Sequence, residues 1–166
     1  MIGNDVIDLV WTRKESNWKR PGFLNKLFTS QEQLLITTAE NPEVMVWNLW
    51  SRKEAAYKIY NRETGIRAYI PLQLECEYEN ESLGKVNCNG YTFYTQTVLS
   101  KDKIHTIALT QKEAFEQVVA LDCYSEIIKK DGIPFVLDKD SNQLFPMSKS
   151  HHGRFMSIVG YTNSLL

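Results

Sequence analysis

The feature that most constrains the fold is a change of hydrophobic period near Ala68. Upstream of Ala68 the sequence carries helix signals, whereas downstream of it apolar and polar residues alternate. This alternation is typical of strands with one solvated face, and it begins at Leu72, Leu74, Cys76 and Tyr78. Helices followed by hairpin-connected strands predict an α+β fold, in which a largely antiparallel sheet packs against helices.

Two helices are predicted before the change of period. Thr29 and Glu32 have the spacing of a capping box, and Asn41-Pro42 provides an N-cap with proline in the first turn. The elements expected in this half are a strand at 2–10, a polar loop at 12–22, and helices at about 29–39 and 42–62.

The rest of the chain is predicted to consist mainly of strands. Asn89-Gly90, between two alternating segments, is a strong signal for a type I′ hairpin. A helix that ends at Asp131-Gly132 is expected at 111–130. The expected strands lie at 72–78, 85–88, 91–98, 104–109, 133–137 and 155–161.

The composition is that of one globular domain over residues 1–166, with two small lobes at about 1–112 and 113–166 as a variant. A net charge of −1 argues against a protein that binds nucleic acid through its overall field. The three cysteines lack CxxC spacing, which argues against a disulfide framework and a Cys-rich zinc site; they are Cys76, Cys88 and Cys123.

No apolar run approaches the length of a bilayer span, and residues 1–5 lack the basic-then-apolar pattern of a signal peptide. We therefore expect a cytoplasmic protein with no membrane partner.

Two acids, Asp5 and Asp8, lie within the first predicted strand. Because side chains alternate along a strand, the two carboxylates point to opposite faces, each among apolar neighbours. A buried carboxylate is costly unless its charge is compensated. One interpretation is that the acids bind a cation, and the other is that one of them caps a turn or pairs with a lysine.

The second predicted helix carries Glu54 and Lys58, which are i, i+4 neighbours in the favourable order for an ion pair. Trp47 and Trp50 lie along the same side of that helix, so this side is not plainly solvated. An ordinary surface ion pair and a functional pair both fit this pattern.

Residues 148–155 bring hydroxyls, Lys149, two histidines, a glycine and Arg154 to the start of the last predicted strand. Such a group can bind phosphate, and the alternative is a simple polar turn. Adjacent histidines in a strand point to opposite faces, which disfavours a metal site there. Together the three segments offer acids for a hard cation, a nearby lysine and a phosphate-binding turn, as chemistry at a pyrophosphate requires.

These segments resemble the motifs of the 4′-phosphopantetheinyl transferase superfamily. Residues 3–8 resemble its G-x-D motif, and residues 50–58 match W-[ST]-x-K-E-A-x-x-K almost letter for letter. Three further segments are similar to family motifs: 23–32 to F-x-x-[KR]-x-[FL]-[ST]-x-x-E, 132–134 to G-K-P, and 148–155 to S-x-S-H-x-G-r-[FWY].

The resemblance implies an enzyme of the holo-acyl-carrier-protein synthase type, which serves fatty acid biosynthesis. Such an enzyme moves 4′-phosphopantetheine from coenzyme A to a serine of an apo acyl or peptidyl carrier protein. The resemblance implies Mg²⁺ held by Asp5 and Glu54, with Glu54 also taking the serine proton. It further implies that Lys58 stabilises the pyrophosphate, and that Ser150 and His151 contact coenzyme A phosphates. Lys149 or Arg154 is a candidate for a positively charged helper by its location alone.

Two other functional classes stay open. One is a non-catalytic relative that binds coenzyme A or a carrier protein, and the other is an Mg²⁺-dependent phosphohydrolase.

The chain also departs from the family's pattern. Ile7 stands where two-lobed members carry a third acid, Trp11 stands where short members carry arginine, and Ile133 replaces the lysine of G-K-P. The S-x-S-H-x-G segment follows the G-x-D segment here, whereas it precedes it in two-lobed members. We therefore expect a permuted arrangement whose ends lie side by side near the cation site. The short members form trimers with shared sites, so a monomer and a homotrimer are both open.

Overall fold

The computed structural model describes residues 1–121, 127–138 and 142–161. Its helices are α1 (Leu9–Glu15), α2 (Phe23–Leu27), α3 (Ser30–Thr38) and α4 (Pro42–Thr64). Its strands are β1 (Ile2–Asp8), β2 (Glu75–Tyr78), β3 (Leu83–Cys88), β4 (Tyr91–Leu99), β5 (Lys103–Leu109), β6 (Val118–Ala120), β7 (Ile127–Lys130), β8 (Ile133–Asp138), β9 (Gln143–Pro146), β10 (Ser148–His152) and β11 (Phe155–Tyr161).

The largest sheet is antiparallel and has the strand order β1-β5-β4-β3-β2. Helix α4 packs on one face of this sheet, and buried apolar side chains from α4, β3 and β4 form the core between them. The prediction of an α+β fold with an antiparallel sheet against helices is confirmed.

Local signals explain why α4 begins and ends where it does. The Asn41 side chain accepts from the Val44 amide, Pro42 occupies the first turn, and Gly65 ends the helix with a φ of 73°. Between β3 and β4, Asn89 and Gly90 both have positive φ, as the predicted type I′ hairpin requires.

Two smaller sheets follow in the chain, with the orders β10-β11-β6 and β7-β8-β9. Strands β10 and β11 pack against β1, so the C-terminal part of the chain covers the open edge of the large sheet. The last described residue meets the first, because the Tyr161 hydroxyl donates to the Met1 carbonyl oxygen at 3.0 Å. The expected segment 162–164 of the permuted join lies outside the described residues.

The helix predicted at 111–130 is wrong. A 3₁₀ turn occupies Lys112–Gln117 and is followed by strands β6 and β7, while 122–126 lie outside the described residues. Strand β6 pairs with β11, and β7 pairs with β8. The β-branched residues of 118–119 and 127–128 suit these pairings, which override the local helix signals. The strands predicted at 133–137 and 155–161 are confirmed.

The first strand is shorter than predicted, because Asp8 caps helix α1 and ends β1. The predicted loop at 12–22 therefore begins inside α1 and also contains the turn before α2.

Cys76 and Cys88 are free thiols, and Cys123 lies outside the described residues. Among the described helices, none has both the length and the apolar character that a membrane crossing demands.

Candidate active site

Asp5 lies in the middle of β1, opposite Thr106 of β5, and its carboxylate is largely buried. Burial raises the pKa of Asp5, while the nearby Lys58 ammonium opposes that rise. Glu54 is presented by α4, and burial together with the charge of Asp5 raises its pKa to about 7. The two carboxylates thus repel each other in a partly desolvated site, which is where a cation is most strongly favoured.

Lys58 lies one turn after Glu54 and reaches across to β1. Its Nζ is 4.0 Å from Asp5 Oδ1 and donates to the Asn4 carbonyl oxygen at 2.6 Å. A longer contact of 3.4 Å joins Nζ to the Lys149 carbonyl oxygen. Burial lowers the pKa of Lys58, and the charges of Asp5 and Glu54 oppose that effect. The structure therefore brings Asp5, Glu54 and Lys58 together, and their roles stay predictions.

The other predicted site residues lie on β10 and divide between its two faces. The Ser150 hydroxyl is buried, donates to Asp5 Oδ1 at 3.1 Å and accepts from the Val6 amide at 3.0 Å. Lys149 and His151 lie on the opposite, exposed face of β10. Their contacts with coenzyme A stay predictions.

The groups that bind the Asp8 carboxylate differ from those that bind Asp5. Its Oδ1 accepts from the amides of Val10 and Trp11, and so caps α1. The Arg154 guanidinium binds both carboxylate oxygens, at 2.8 and 2.9 Å, and the Arg154 amide donates to Oδ2 at 3.0 Å. The Arg154 side chain holds the pKa of Asp8 well below its usual range. Of the two interpretations, a cap that pairs with a cationic side chain fits Asp8.

Sequence reasoning missed two buried hydroxyls, those of Ser51 and Tyr69. The Ser51 hydroxyl lies beside Asp5 and lowers its pKa, and the Tyr69 hydroxyl lies beside Glu54. Both oxygens are buried, and among the described residues neither has a partner within hydrogen-bond geometry. Ser51 belongs to the W-[ST] motif, which could have pointed to it. Tyr69 falls in a stretch without a regular pattern, and it is fixed by edge-on packing with Trp50 and Tyr57.

Comparison with known proteins now decides the family. The sequence model of the 4′-phosphopantetheinyl transferase superfamily matches residues 1–116. The chain belongs to this superfamily. The predicted family and the predicted enzyme class are thereby confirmed.

Two individual proteins illustrate the similarity of this transferase to known ones. A holo-[acyl-carrier-protein] synthase of Natranaerobius thermophilus is 29% identical over 107 residues, which are 63% of this chain and 82% of that protein. The crystal structure of holo-[acyl-carrier-protein] synthase from Neisseria meningitidis superimposes with a TM-score of 0.55 at 16% identity. That match covers 67% of this chain and 97% of the other.

The matched part of the transferase contains Asp5, Glu54 and Lys58, whereas Ser150 and Arg154 lie beyond it. The C-terminal hairpin therefore contributes contacts to both acids of β1 from outside the matched residues.

The residues present fit a hard cation bound by Asp5 and Glu54. Mg²⁺ prefers oxygen ligands, commonly one or two carboxylates completed by water and by substrate phosphates. Two mutually repelling, partly buried carboxylates meet that description. Within the described part of the chain, no group of three or more His, Cys, Asp or Glu side chains is placed to hold a metal.

Proposed function

We propose that this protein transfers the 4′-phosphopantetheine group from coenzyme A to a serine of an acyl or peptidyl carrier protein, with Mg²⁺ as the cofactor. The observation that carries the proposal is the meeting of Asp5, Glu54 and Lys58 in one partly buried site. All three residues lie within the part of the chain that matches the superfamily.

In the proposed reaction the serine oxygen forms a bond to the pantetheine-side phosphorus of coenzyme A. The phosphoanhydride bond breaks, and adenosine 3′,5′-bisphosphate leaves. Glu54 receives the serine proton directly or through a water and so acts as the general base. Lys58 places positive charge beside Asp5, where it offsets the negative charge that develops on the leaving group.

Asp5 and Glu54 are the residues that would hold the cation. When bound, Mg²⁺ neutralises charge on the pyrophosphate oxygens and so eases displacement at phosphorus.

Substrate binding is proposed to involve the exposed face of β10, where Lys149 and His151 are free to meet coenzyme A phosphates. The Ser150 hydroxyl already bonds within the protein, to Asp5 and to the Val6 amide. For the carrier protein we propose the surface formed by residues 12–22 and the start of α3. The cytoplasmic location and a role in fatty acid biosynthesis stay predictions.

The test is to incubate the protein with coenzyme A, Mg²⁺ and an apo carrier protein, and to weigh the carrier by mass spectrometry. We expect a mass gain of one phosphopantetheine, lost in Glu54→Gln and Asp5→Asn. The control variant is Glu75→Gln, which removes an exposed acid of β2 and should transfer normally.

Two outcomes would refute the proposed function and favour one of the other two functional classes. Coenzyme A binding without transfer to any carrier would favour the non-catalytic class. Cleavage of coenzyme A in the absence of a carrier would favour the phosphohydrolase.

A further inference from the structure

β1 is the edge strand of the large sheet, yet its outward amides are satisfied by side chains rather than by another strand's backbone. The amides of Asn4 and Val6 donate to the hydroxyls of Ser148 and Ser150, at 2.9 and 3.0 Å. The Asp8 amide donates to the His152 ring at 2.9 Å. Because positions 148, 150 and 152 alternate along β10, they share the face that meets β1.

Ser150 differs from the other members of this row, because its hydroxyl also donates to Asp5 Oδ1 at 3.1 Å. A hydroxyl has one proton, so the proton of Ser150 is committed to Asp5 while its lone pair binds the Val6 amide. The bond from the Val6 amide is buried and the bond to Asp5 is partly buried, with only 6% of Ser150 exposed. The Asp5 carboxylate is thus fixed relative to the backbone of its own strand.

The second constraint on Asp5 comes from α4. Lys58 Nζ lies 4.0 Å from the same Oδ1 atom and is itself anchored to the carbonyl oxygens of Asn4 and Lys149. The Ser150 hydroxyl and the Lys58 ammonium therefore interact with the same carboxylate oxygen, Asp5 Oδ1. Among the described residues, no hydrogen bond within normal geometry reaches Asp5 Oδ2.

Groups that hydrogen-bond a ligating carboxylate fix its orientation, and their loss usually weakens metal binding by one to two orders of magnitude. We propose that Ser150 is a positioning residue, which holds the Asp5 carboxylate in the orientation that binds the cation. This inference rests on the proposed function, since it needs Asp5 to be a cation ligand. It assigns to the C-terminal hairpin β10–β11 a part in cation binding.

The experiment measures Mn²⁺ binding directly, from the loss of the free-ion electron paramagnetic resonance signal during a titration. Ser150→Ala should weaken Mn²⁺ binding by about tenfold relative to the unaltered protein. The matched control is Ser148→Ala, which also leaves one β1 amide without its partner but removes no bond to a carboxylate. Its Mn²⁺ affinity should equal that of the unaltered protein.

Urea unfolding of both variants separates positioning from stability. Each variant loses one buried hydroxyl on the same strand, so similar losses of stability are expected, and only Ser150→Ala should change Mn²⁺ affinity. In the transfer assay, saturating Mg²⁺ should restore most of the activity of Ser150→Ala.

Three results would overturn the inference. The first is unchanged Mn²⁺ affinity in folded Ser150→Ala, and the second is equal weakening in Ser148→Ala. In both cases Asp5 and the proposed function stand. The third is failure of the unaltered protein to bind Mn²⁺, which refutes the cation site itself. This result differs from the other two, because in those the unaltered protein still binds Mn²⁺.

Discussion

Removing the ammonium of Lys53 should destabilise this protein far more than removing an exposed charge. Lys53 precedes Glu54 in α4, and its side chain is fully buried. Its Nζ donates to Glu32 Oε2 at 2.7 Å and to the carbonyl oxygens of Leu27 and Pro71, each at 2.8 Å. All three protons are therefore used, and the cation joins α2, α3 and the 3₁₀ turn at Pro71–Gln73 to α4.

The size of the expected stability loss follows from the buried groups that Lys53→Met leaves without a partner. Among the described residues, the Glu32 carboxylate keeps as donors only the amides of Thr29 and Cys76, and two backbone carbonyls lose their partner. Breaking a buried ion pair by removing one partner costs about 3–5 kcal/mol. In a chain of this length each kcal/mol lowers Tm by about 2–4 °C, so we expect Tm to fall by roughly 6–20 °C.

Urea unfolding followed by tryptophan fluorescence measures this loss. The control is Arg13→Ala, which breaks the exposed Arg13–Glu43 pair and should leave the urea midpoint unchanged. The double variant Lys53→Met with Glu32→Gln removes both charges and should be more stable than the sum of the two single losses predicts. A loss below about 1 kcal/mol in Lys53→Met, the level of exposed pairs, would refute this reasoning, as would strict additivity in the double variant.

Three further predictions concern Gly3, His105 and Glu54. An added Cβ at Gly3 overlaps the Ala55 carbonyl oxygen, so Gly3→Ala should destabilise the protein by about 1–3 kcal/mol in urea and also weaken Mn²⁺ binding. Burial lowers the pKa of His105 to about 4, so the unfolded chain takes up its proton first as pH falls below 6.5. Stability should fall by up to about 3 kcal/mol between pH 6.5 and 4, and this part of the loss should disappear in His105→Asn. Because Glu54 has a pKa of about 7 without metal, protons compete with the cation at low pH. Mn²⁺ affinity should therefore be about tenfold weaker at pH 6 than at pH 8, and an unchanged affinity would contradict that pKa.

The long helix and the first hairpin could be predicted because their signals are local. The caps of α4 are set by Asn41, Pro42 and Gly65, and the β3–β4 turn by Asn89-Gly90. The spacing of Glu54 and Lys58 likewise needs only one turn of helix. Bringing Asp5 to that pair required the family resemblance, because β1 and α4 are far apart in sequence.

The strand pairing and the long-range contacts of the C-terminal part could not be predicted from local signals. Residues 111–130 carry helix signals, yet β6 and β7 exist because β11 and β8 offer backbone partners, which no local window contains. The bond from Ser150 to Asp5 spans 145 residues, and nothing in the spacing of the motif indicates it. The motif pattern also grouped Ser150 with His151, although alternation along β10 places them on opposite faces.

The G-x-D spacing itself has a physical reason in this fold. Gly3 and Asp5 are two residues apart in β1 and therefore share the face that meets α4. Because Gly3 has no side chain, the backbone of α4 at Ala55 can approach β1 closely at that point. Ala55 follows Glu54, so the same close approach brings Glu54 towards Asp5. Asp8 is an odd number of residues further along and faces away, to Arg154 and the start of α1. The glycine thus sets the distance between strand and helix, and the acid two residues later becomes the one that Glu54 meets.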